Sequence, residues 1–388
     1  MKLSTFFVVL VSVVFGLELT SSSGQTLRES TQGSQILIGT AVRPSQLSEA
    51  LYASTLAREF NMVEPEDALK WEVVHPQRNE FDFSQADQIL EFATKYDMKI
   101  RGHTLVWHRQ NPRWLTEGNY TSTELAHILE VHIKTVVGHY RGKIFAWDVV
   151  NEAFDELHPG ALRSTIWRDQ PGIAPGGKGS ASSVEPRASH NRVGAELESR
   201  SSKQPYSYIE QCFRWAHEAD PQAQLFYNDA EAETINAKSD AVFSMVRDFR
   251  RRGVPIDGVG LQMHIPNLYA DVASISANIK RLTGLGVQVH ITEMDVALPL
   301  DPDGNARAED LVRQADIYRD IAVACLSHPG CTAIQTWGFT DKYSWIGSHT
   351  KHIQGAALLF DQNYRAKPAH KALRDALHPG RLQPTNLQ

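Results

Sequence analysis

The sequence predicts an α/β protein with a (β/α)8 TIM barrel as its single large domain. Short apolar runs alternate with amphipathic segments along the chain, and eight such runs can be counted. Polar side chains recur where these runs end. At 388 residues the chain is long enough for two or three domains of about 150 residues each, but a barrel of this type can exceed 300 residues as one domain.

Eight strands and eight helices are predicted in strict alternation. The strand-like runs cover residues 37–42, 60–66, 99–107, 143–152, 223–230, 257–264, 288–295 and 333–339. Seven helical patterns separate them, and residues 367–377 form an eighth after the last strand. Helix signals support this interpretation: a Ser cap opens 84–97, Thr121 and Glu124 form a capping box, and 236–253 ends on basic residues and Gly.

The composition limits the class of protein and of partner. With 42% hydrophobic and 22% charged residues, the chain can bury a large core, which excludes a disordered or collagen-like protein. Lys and Arg number 39 against 45 Asp and Glu, for a net charge of −6. Because no basic excess is present, we expect no nucleic-acid or anionic-membrane partner.

Residues 1–25 have the layout of a secretory signal peptide. Lys2 precedes an apolar run from Leu3 to Leu17, and small polar residues follow. The run is shorter than the roughly 20 residues that span a bilayer. Because Ser22-Ser23-Gly24 is a poor cleavage site, an uncleaved anchor is the alternative. We expect secretion, with no membrane attachment of the mature form.

The three cysteines fit an oxidising compartment. Cys325 and Cys331 flank a Pro-Gly turn, and this spacing favours a local disulfide between them. Cys212 lies in a helical pattern and is predicted to be buried and unpaired.

One segment interrupts the barrel pattern. Residues 171–203, after the fourth strand, are rich in Gly and Ser and lack aromatic residues, which predicts a flexible insertion. It is either a passive insertion or a lid over the active face. The remaining boundaries are a domain at 26–380 and a C-terminal tail at 381–388.

Polar residues gather at the carboxyl ends of the predicted strands, where barrel enzymes place their active sites. Alternate residues of a strand share a face, so Gln262 pairs with His264 and Glu293 with Asp295. By the same rule His290 and His108 are predicted to pack against the outer layer. The strand-end residues are Glu66, Asp67, Lys70, His103, Trp107, Asn151, Glu152, Asn228, Gln262, His264, Glu293, Asp295 and Trp337.

Two carboxylates in this set, Glu152 and Glu293, follow strands three positions apart around the barrel. Carboxylates that approach a substrate from opposite sides, amid amides, imidazoles and indoles, suit glycoside hydrolysis. Alone, each Glu is more often a surface carboxylate, and His103 and His264 are more often structural. We expect no metal site from these histidines, and no cofactor.

Six ordered segments carry a family resemblance: FNMVEPEDALKWEVVHPQ, RGHTLVWHRQNPRW, WDVVNEAF, GLQMHI, VHITEMDV and QTWGFTDKYSWI. In order and spacing they resemble the motifs of glycoside hydrolase family 10, the retaining endo-1,4-β-xylanases. The resemblance implies a single catalytic domain that binds xylan and xylo-oligosaccharides, and we expect a monomer.

The resemblance also implies roles for individual residues. Glu152 would be the acid/base and Glu293 the nucleophile; the negative charge of Glu293 is expected to raise the pKa of Glu152. Asn151 would hold the 2-hydroxyl of the sugar, and His264 would orient Glu293 with Asp295 behind it. The implied sugar-binding residues are Glu66, Lys70, His103, Trp107, Gln110, Gln262, Trp337 and Trp345, and Asp67 and Asn228 lie beside them.

Two residues depart from the family pattern. Asp67 stands where Asn is usual, and Ala230 where an aromatic residue is common. These departures concern affinity and fine specificity rather than the chemistry. Two alternatives stay open: a β-1,4-glucanase of mixed specificity, and a non-catalytic polysaccharide-binding barrel.

Overall fold

The computed structural model describes residues 25–169 and 206–378. The predicted signal peptide (apart from Gln25), the whole predicted insertion at 171–203 and the tail at 381–388 lie outside the described residues. Within the described ranges the chain forms the predicted (β/α)8 barrel. No helix of those ranges is both long and apolar enough to cross a membrane.

Eight parallel strands close the barrel. Each pairs with its neighbour along the chain, and the last strand pairs with both the seventh and the first, which closes the sheet. The strands are β1 (Leu37–Val42), β2 (Met62–Pro65), β3 (Lys99–Gly102), β4 (Ala146–Asn151), β5 (Gln224–Asp229), β6 (Gly258–Leu261), β7 (Gln288–Val296) and β8 (Cys331–Thr336). Three further strands of two residues each, His264–Ile265, Leu298–Pro299 and Gln354–Gly355, lie in the loops.

A helix follows each barrel strand and covers the outside of the sheet. These helices are α1 (Ala50–Glu59), α2 (Ser84–Lys95), α3 (Ser122–His139), α4 (Ser207–Ala219), α5 (Ala237–Arg252), α6 (Val272–Thr283), α7 (Ala308–Leu326) and α8 (Pro368–Leu377). Shorter helical turns occupy Leu27–Ser30, Pro44–Ser48, Trp71–Val74, Arg113–Thr116, Ile166–Asp169, Asp341–Tyr343 and Trp345–His349. The predicted capping box of Thr121 and Glu124 starts α3, and Gly253 ends α5 at φ 66°.

Two layers of side chains pack around the strands. Between sheet and helices, Trp147 of β4 is fully buried and points toward Tyr140 at the end of α3. A Cβ at Gly102 of β3 would clash with the Trp147 indole, so glycine is required there. Inside the barrel, Phe226 packs against His290, with ring centroids 4.2 Å apart, and Arg101 lies over the Phe226 ring. The barrel interior is therefore filled rather than open.

The observed strands are shorter than several predicted runs. The sequence predicts one strand over residues 99–107, but β3 ends at Gly102, and His103 and Trp107 lie in the segment that follows it. The predicted disulfide between Cys325 and Cys331 is confirmed; it joins the end of α7 to the start of β8. Cys212 is a buried free cysteine in α4, as predicted.

Candidate active site

Glu152 stands directly after β4 in a pocket at the carboxyl ends of the strands. It is 9% exposed and adopts φ 53°, a left-handed conformation that side chains other than glycine adopt at a cost. Its N–H donates to the carbonyl oxygen of Asn228 at 2.9 Å, which holds this turn. Trp107 Nε1 donates to Glu152 Oε2 at 2.9 Å, and Gln262 Nε2 donates to Oε1 at 2.9 Å.

These donors decide the charge of the group. Burial by itself raises the pKa of Glu152, but the hydrogen bonds from Gln262 and Trp107 and the nearby side chains of His108 and Arg109 outweigh it. The pKa of Glu152 therefore lies below its ordinary value. The prediction of a raised pKa in the free protein is wrong, because it considered the charge of Glu293 and omitted the N–H donors.

Glu293 lies on β7 and is 4% exposed. Asn228 Nδ2 donates to Glu293 Oε1 at 2.8 Å, and His264 Nε2 lies 3.3 Å from Oε2. The other ring nitrogen of His264 lies 2.9 Å from Asp295 Oδ2. His264 thus stands between the two carboxylates, in the order that the family resemblance implies.

The charge of His264 follows from this position. Burial lowers the pKa of a histidine, but the charges and hydrogen bonds of Asp295 and Glu293 outweigh burial and raise the pKa of His264 well above its ordinary value. An imidazolium between two carboxylates donates from both nitrogens. It therefore holds the Glu293 carboxylate in place.

Amides connect the two carboxylates across the pocket. The side chains of Asn151 and Asn228 are in contact at 2.9 Å, and Asn228 reaches Glu293 while Gln262 reaches Glu152. Asn151, Asn228 and Gln262 are each at most 3% exposed. The structure therefore brings Glu152 and Glu293 into one hydrogen-bonded site.

A charged cluster lies after β2. Asp67 Oδ1 accepts from Lys70 Nζ at 3.1 Å and from Gln110 Nε2 at 3.3 Å. Arg43, directly after β1, reaches Glu66 at 2.7 Å and Asp67 at 3.2 Å. Burial raises the pKa of Asp67, but the charges of Lys70 and Arg43 outweigh it and the net pKa is lowered. Burial of Glu66 outweighs the effect of Arg43, so that its pKa is raised.

Indole rings line the same pocket. Lys70 Nζ lies 4.8 Å from the centroid of the Trp107 ring and 5.6 Å from that of Trp337. The Trp337 ring meets His103 edge to face at 5.3 Å, and Trp345 Nε1 donates to Asp295 Oδ2 at 2.8 Å. Apolar faces beside hydrogen-bonding groups suit the alternating CH faces and hydroxyls of a sugar.

Buried ionisable groups form the floor of the pocket. Arg101 binds Asp148 through two hydrogen bonds, from Nε at 3.1 Å and from Nη2. His103 Nδ1 lies 3.0 Å from Asp148 Oδ2 and 3.3 Å from Glu64 Oε1. Arg101, Asp148 and Glu64 are each fully buried.

Several of these groups were not predicted. Arg43 follows β1 as the other site residues follow their strands, so the same rule applied to the first strand identifies it. Asp148 lies within β4 rather than at its end, so the rule of strand ends does not identify it.

Two predictions for histidines are wrong. His108 lies in the pocket rather than against the outer layer, with Nδ1 3.8 Å from Glu152 Oε2. Burial and the positive charge of Arg163 lower the pKa of His108 to about 4, against the opposing charge of Glu152.

His290 faces the barrel interior, where Nδ1 lies 2.8 Å from Arg101. The register of β7 against β8 shifts between Ile291 and Met294, and this bulge reverses the face parity.

Comparison with known proteins agrees with this geometry. The model of the family "Glycosyl hydrolase family 10" matches residues 26–174 and 198–376. The chain is 43% identical over 326 residues to endo-1,4-beta-xylanase B of Thermotoga neapolitana, covering 84% of this chain and 83% of that protein.

Solved structures give the same result. The structure of native xylanase 10B from Thermotoga maritima matches with a TM-score of 0.79 and 40% identity, over 91% of this chain and 98% of that one. Xylanase 10B from Thermotoga petrophila, solved in complex with xylobiose, matches with a TM-score of 0.79 and 39% identity, over 91% and 97%.

Proposed function

The chain belongs to glycosyl hydrolase family 10 and is an endo-1,4-β-xylanase, and from this premise we propose that Glu152 and Glu293 carry out a retaining hydrolysis of xylan. One observation carries the assignment: both carboxylates lie in one pocket, each held by its own set of N–H donors. Two carboxyl groups on opposite sides of a glycosidic bond are the minimum that this chemistry requires.

In the first step Glu293 Oε attacks the anomeric carbon while Glu152 gives its proton to the leaving glycosidic oxygen. The glycosidic bond breaks, a glycosyl ester of Glu293 forms, and the shortened chain leaves as an alcohol. In the second step Glu152, now ionised, takes a proton from water, whose oxygen attacks the same carbon and releases Glu293. Two displacements at one carbon retain its configuration.

The surrounding residues support these roles. His264, as an imidazolium between Asp295 and Glu293, orients the nucleophile. Trp107 and Gln262 hold Glu152 beside the leaving oxygen. The remaining sugar-binding assignments are Glu66, Asp67, Lys70, His103, Gln110, Asn151, Asn228, Trp337 and Trp345. The complex of the Thermotoga petrophila relative with xylobiose supports xylo-oligosaccharides as ligands of this pocket.

We propose secretion as the destination. An apolar run of signal-peptide type begins at Leu3, and a disulfide joins Cys325 to Cys331, which suits an oxidising compartment. Detection of the processed protein in culture medium, with its N-terminus determined by mass spectrometry, tests this destination. Retention of the whole chain in the cell would contradict it.

Two measurements test the function. Release of reducing sugar from xylan, with carboxymethylcellulose as the comparison substrate, should show a strong preference for xylan. A 2-fluoro xylobioside with a good leaving group should then trap an ester, and peptide mass spectrometry should locate it on Glu293. An ester on Glu152, or an inverted product by proton NMR, would overturn the assignment.

A further inference from the structure

Glu64 is a buried acid near Glu293, and no step of the reaction uses it. It lies on β2, with no exposed surface. Gln335 Nε2 donates to Oε2 at 2.6 Å. Oε1 accepts no hydrogen bond from residues 25–169 and 206–378 by ordinary geometry, and its nearest polar contact is His103 Nδ1 at 3.3 Å.

The surroundings of Glu64 contain more carboxylate than cation. One oxygen of Glu64, one oxygen of Glu293 and one ring nitrogen of His103 lie within 4.8 Å of one another. Asp148 contacts the same edge of His103, with Oδ2 3.0 Å from Nδ1. Arg101 directs its short contacts to Asp148, and its Nε stays 3.9 Å from Glu64 Oε2. Glu64 and Glu293 therefore lie close together, and Arg101 is bonded more closely to Asp148 than to Glu64.

Two carboxyl groups that share a buried site disfavour each other's ionisation. Glu293 has the groups that stabilise an anion, the amide of Asn228 and the imidazolium of His264. Glu64 has one amide donor, from Gln335. Burial, followed by the charge of Asp148, raises the pKa of Glu64 well above its ordinary value despite Arg101, and the charge of Glu293 raises it further.

We propose that Glu64 is a positioning residue of this pocket: as a neutral carboxylic acid it supports the Nδ1 edge of His103 and keeps a second negative charge away from Glu293. With Nδ1 engaged by Asp148 and Glu64, His103 offers Nε2 to a sugar hydroxyl. The proton on Glu64 leaves Glu293 as the anion that faces the anomeric carbon. This inference rests on the proposed role of Glu293.

Gln335 fixes the position of Glu64. Its side chain crosses from β8 over Gly39 of β1, where a Cβ would lie 2.8 Å from Gln335 Cγ. Its Nε2 also lies 3.3 Å from the carbonyl oxygen of Thr292, next to Glu293. The amide therefore joins the backbone that carries the nucleophile to Glu64, and through Glu64 to His103.

Two substitutions test the charge of Glu64 and its contact with His103 separately. Glu64→Gln has the shape of the neutral acid and keeps a polar atom at the position of each carboxyl oxygen. We expect kcat/KM on an aryl xylobioside to stay within about threefold of the parent, with the acidic limb of its pH profile unmoved. Glu64→Leu removes the acceptor of Gln335 and the contact with His103, so kcat/KM should fall about tenfold, the effect of one lost hydrogen bond of ordinary strength, with the acidic limb again unmoved. Glu59→Gln, at a buried Glu paired with His370 outside the pocket, is the matched control.

Two outcomes would overturn the proposal. A downward shift of the acidic limb by more than about half a pH unit in Glu64→Gln would mean that the parent carries a negative charge at Glu64. Parent-like kcat/KM in Glu64→Leu would remove the positioning role. If Glu64→Leu does not fold, the Glu64→Gln profile still decides the charge.

Infrared spectroscopy detects the proton on Glu64 directly and does not depend on catalysis. At pH 7 the parent should show the carbonyl stretch of a protonated carboxylic acid that Glu64→Gln lacks. Absence of this band would show that Glu64 is not protonated and would overturn the proposal. If the band is present but the trapped ester is not on Glu293, the proposed function fails while the assignment of the proton on Glu64 stands.

Discussion

Trp107 donates its indole N–H to Glu152 at 2.9 Å, so an aromatic residue of the pocket wall also controls the charge of the proposed acid/base. An N–H donor stabilises the carboxylate and not the acid. Together with Gln262, Trp107 lowers the pKa of Glu152 despite burial. The wall residue thereby influences the pH at which the enzyme loses its general acid.

Replacing Trp107 by Phe tests this control. Phe keeps an aromatic face but cannot donate, so the pKa of Glu152 should rise and the alkaline limb of the kcat/KM profile should move to higher pH. One hydrogen bond to a charged group corresponds to a shift of about one pH unit. The acidic limb should stay in place.

Trp114→Phe is the matched control, since the Trp114 indole donates to the carbonyl oxygen of His75 and not to Glu152. Its alkaline limb should match that of the parent. An unmoved alkaline limb in Trp107→Phe would show that this hydrogen bond does not set the charge of Glu152.

The fold and the location of the pocket could be predicted because both follow from repeated local patterns. Eight apolar runs specify eight strands, and parallel strands bring their carboxyl ends to one face. For this reason Glu66, His103, Glu152, Gln262 and Glu293 gather although they are far apart in the sequence. Only the strand bounds, which depend on local hydrogen bonding, differ by a few residues.

The rest depends on contacts that a pattern does not contain. The bulge in β7 adds a residue to one strand and turns both His290 and Glu293 inward, although their parity differs. The pKa of Glu152 depends on which N–H groups reach it. In the sequence, Glu64 is a single polar residue in an apolar strand. Only the positions of Asp148, Gln335 and Glu293 around it identify it as a buried acid.

A pH-dependent contribution to stability is expected from His264. Its pKa is raised in the folded protein, so the charged pairing with Asp295 and Glu293 stabilises the fold fully below the unfolded pKa of about 6.5 and is lost as the pH rises through the folded value. His264→Asn should therefore lower the unfolding temperature most near pH 6. The difference between variant and parent should narrow as the pH rises through the folded pKa of His264. A difference independent of pH would show that the pairing does not depend on the charge of His264.

The disulfide between Cys325 and Cys331 should contribute a modest stability. It closes a loop with a sequence separation of 6, for which chain entropy gives about 2 kcal/mol. Replacing both cysteines by Ser should lower the unfolding temperature by a few degrees, and a reductant should lower that of the parent equally. The double variant should not respond to the reductant; a response would implicate Cys212.

The Gly- and Ser-rich insertion should be dispensable for stability. The family model matches the chain on both sides of residues 175–197 but not across them, and this stretch lacks aromatic residues. Replacing 175–197 by a short Gly-Ser link should change the unfolding temperature by no more than about two degrees, because such a composition cannot bury enough surface to stabilise the barrel. A larger drop would mean that the segment packs on the barrel. Loss of activity on xylan alone, with activity on an aryl xylobioside kept, would favour the lid.

Removing Glu152 and removing Glu293 should impair different steps of the reaction. Glu152→Ala should still form the ester from an aryl xylobioside whose leaving group needs no protonation, because Glu293 and its donors remain. Its second step should be slow, so the ester should accumulate and a burst of the phenol should precede a low steady rate. On xylan, whose leaving group needs the proton, kcat/KM should fall by about 10² or more.

Azide should restore turnover to Glu152→Ala and not to Glu293→Ala. Azide is already an anion, so it needs no general base, and with the Glu152 side chain gone it can reach the esterified carbon and release a glycosyl azide of retained configuration. Glu293→Ala lacks the attacking oxygen, so the first step should be lost for activated and natural substrates alike. Asn228 and His264 stabilise the carboxylate but cannot replace it, since neither presents an anionic oxygen. If azide instead restores turnover to Glu293→Ala and gives a glycosyl azide of inverted configuration, azide attacks the anomeric carbon directly and Glu293 is still the missing nucleophile. A glycosyl azide of inverted configuration from Glu152→Ala would instead mean that the two residues have exchanged roles.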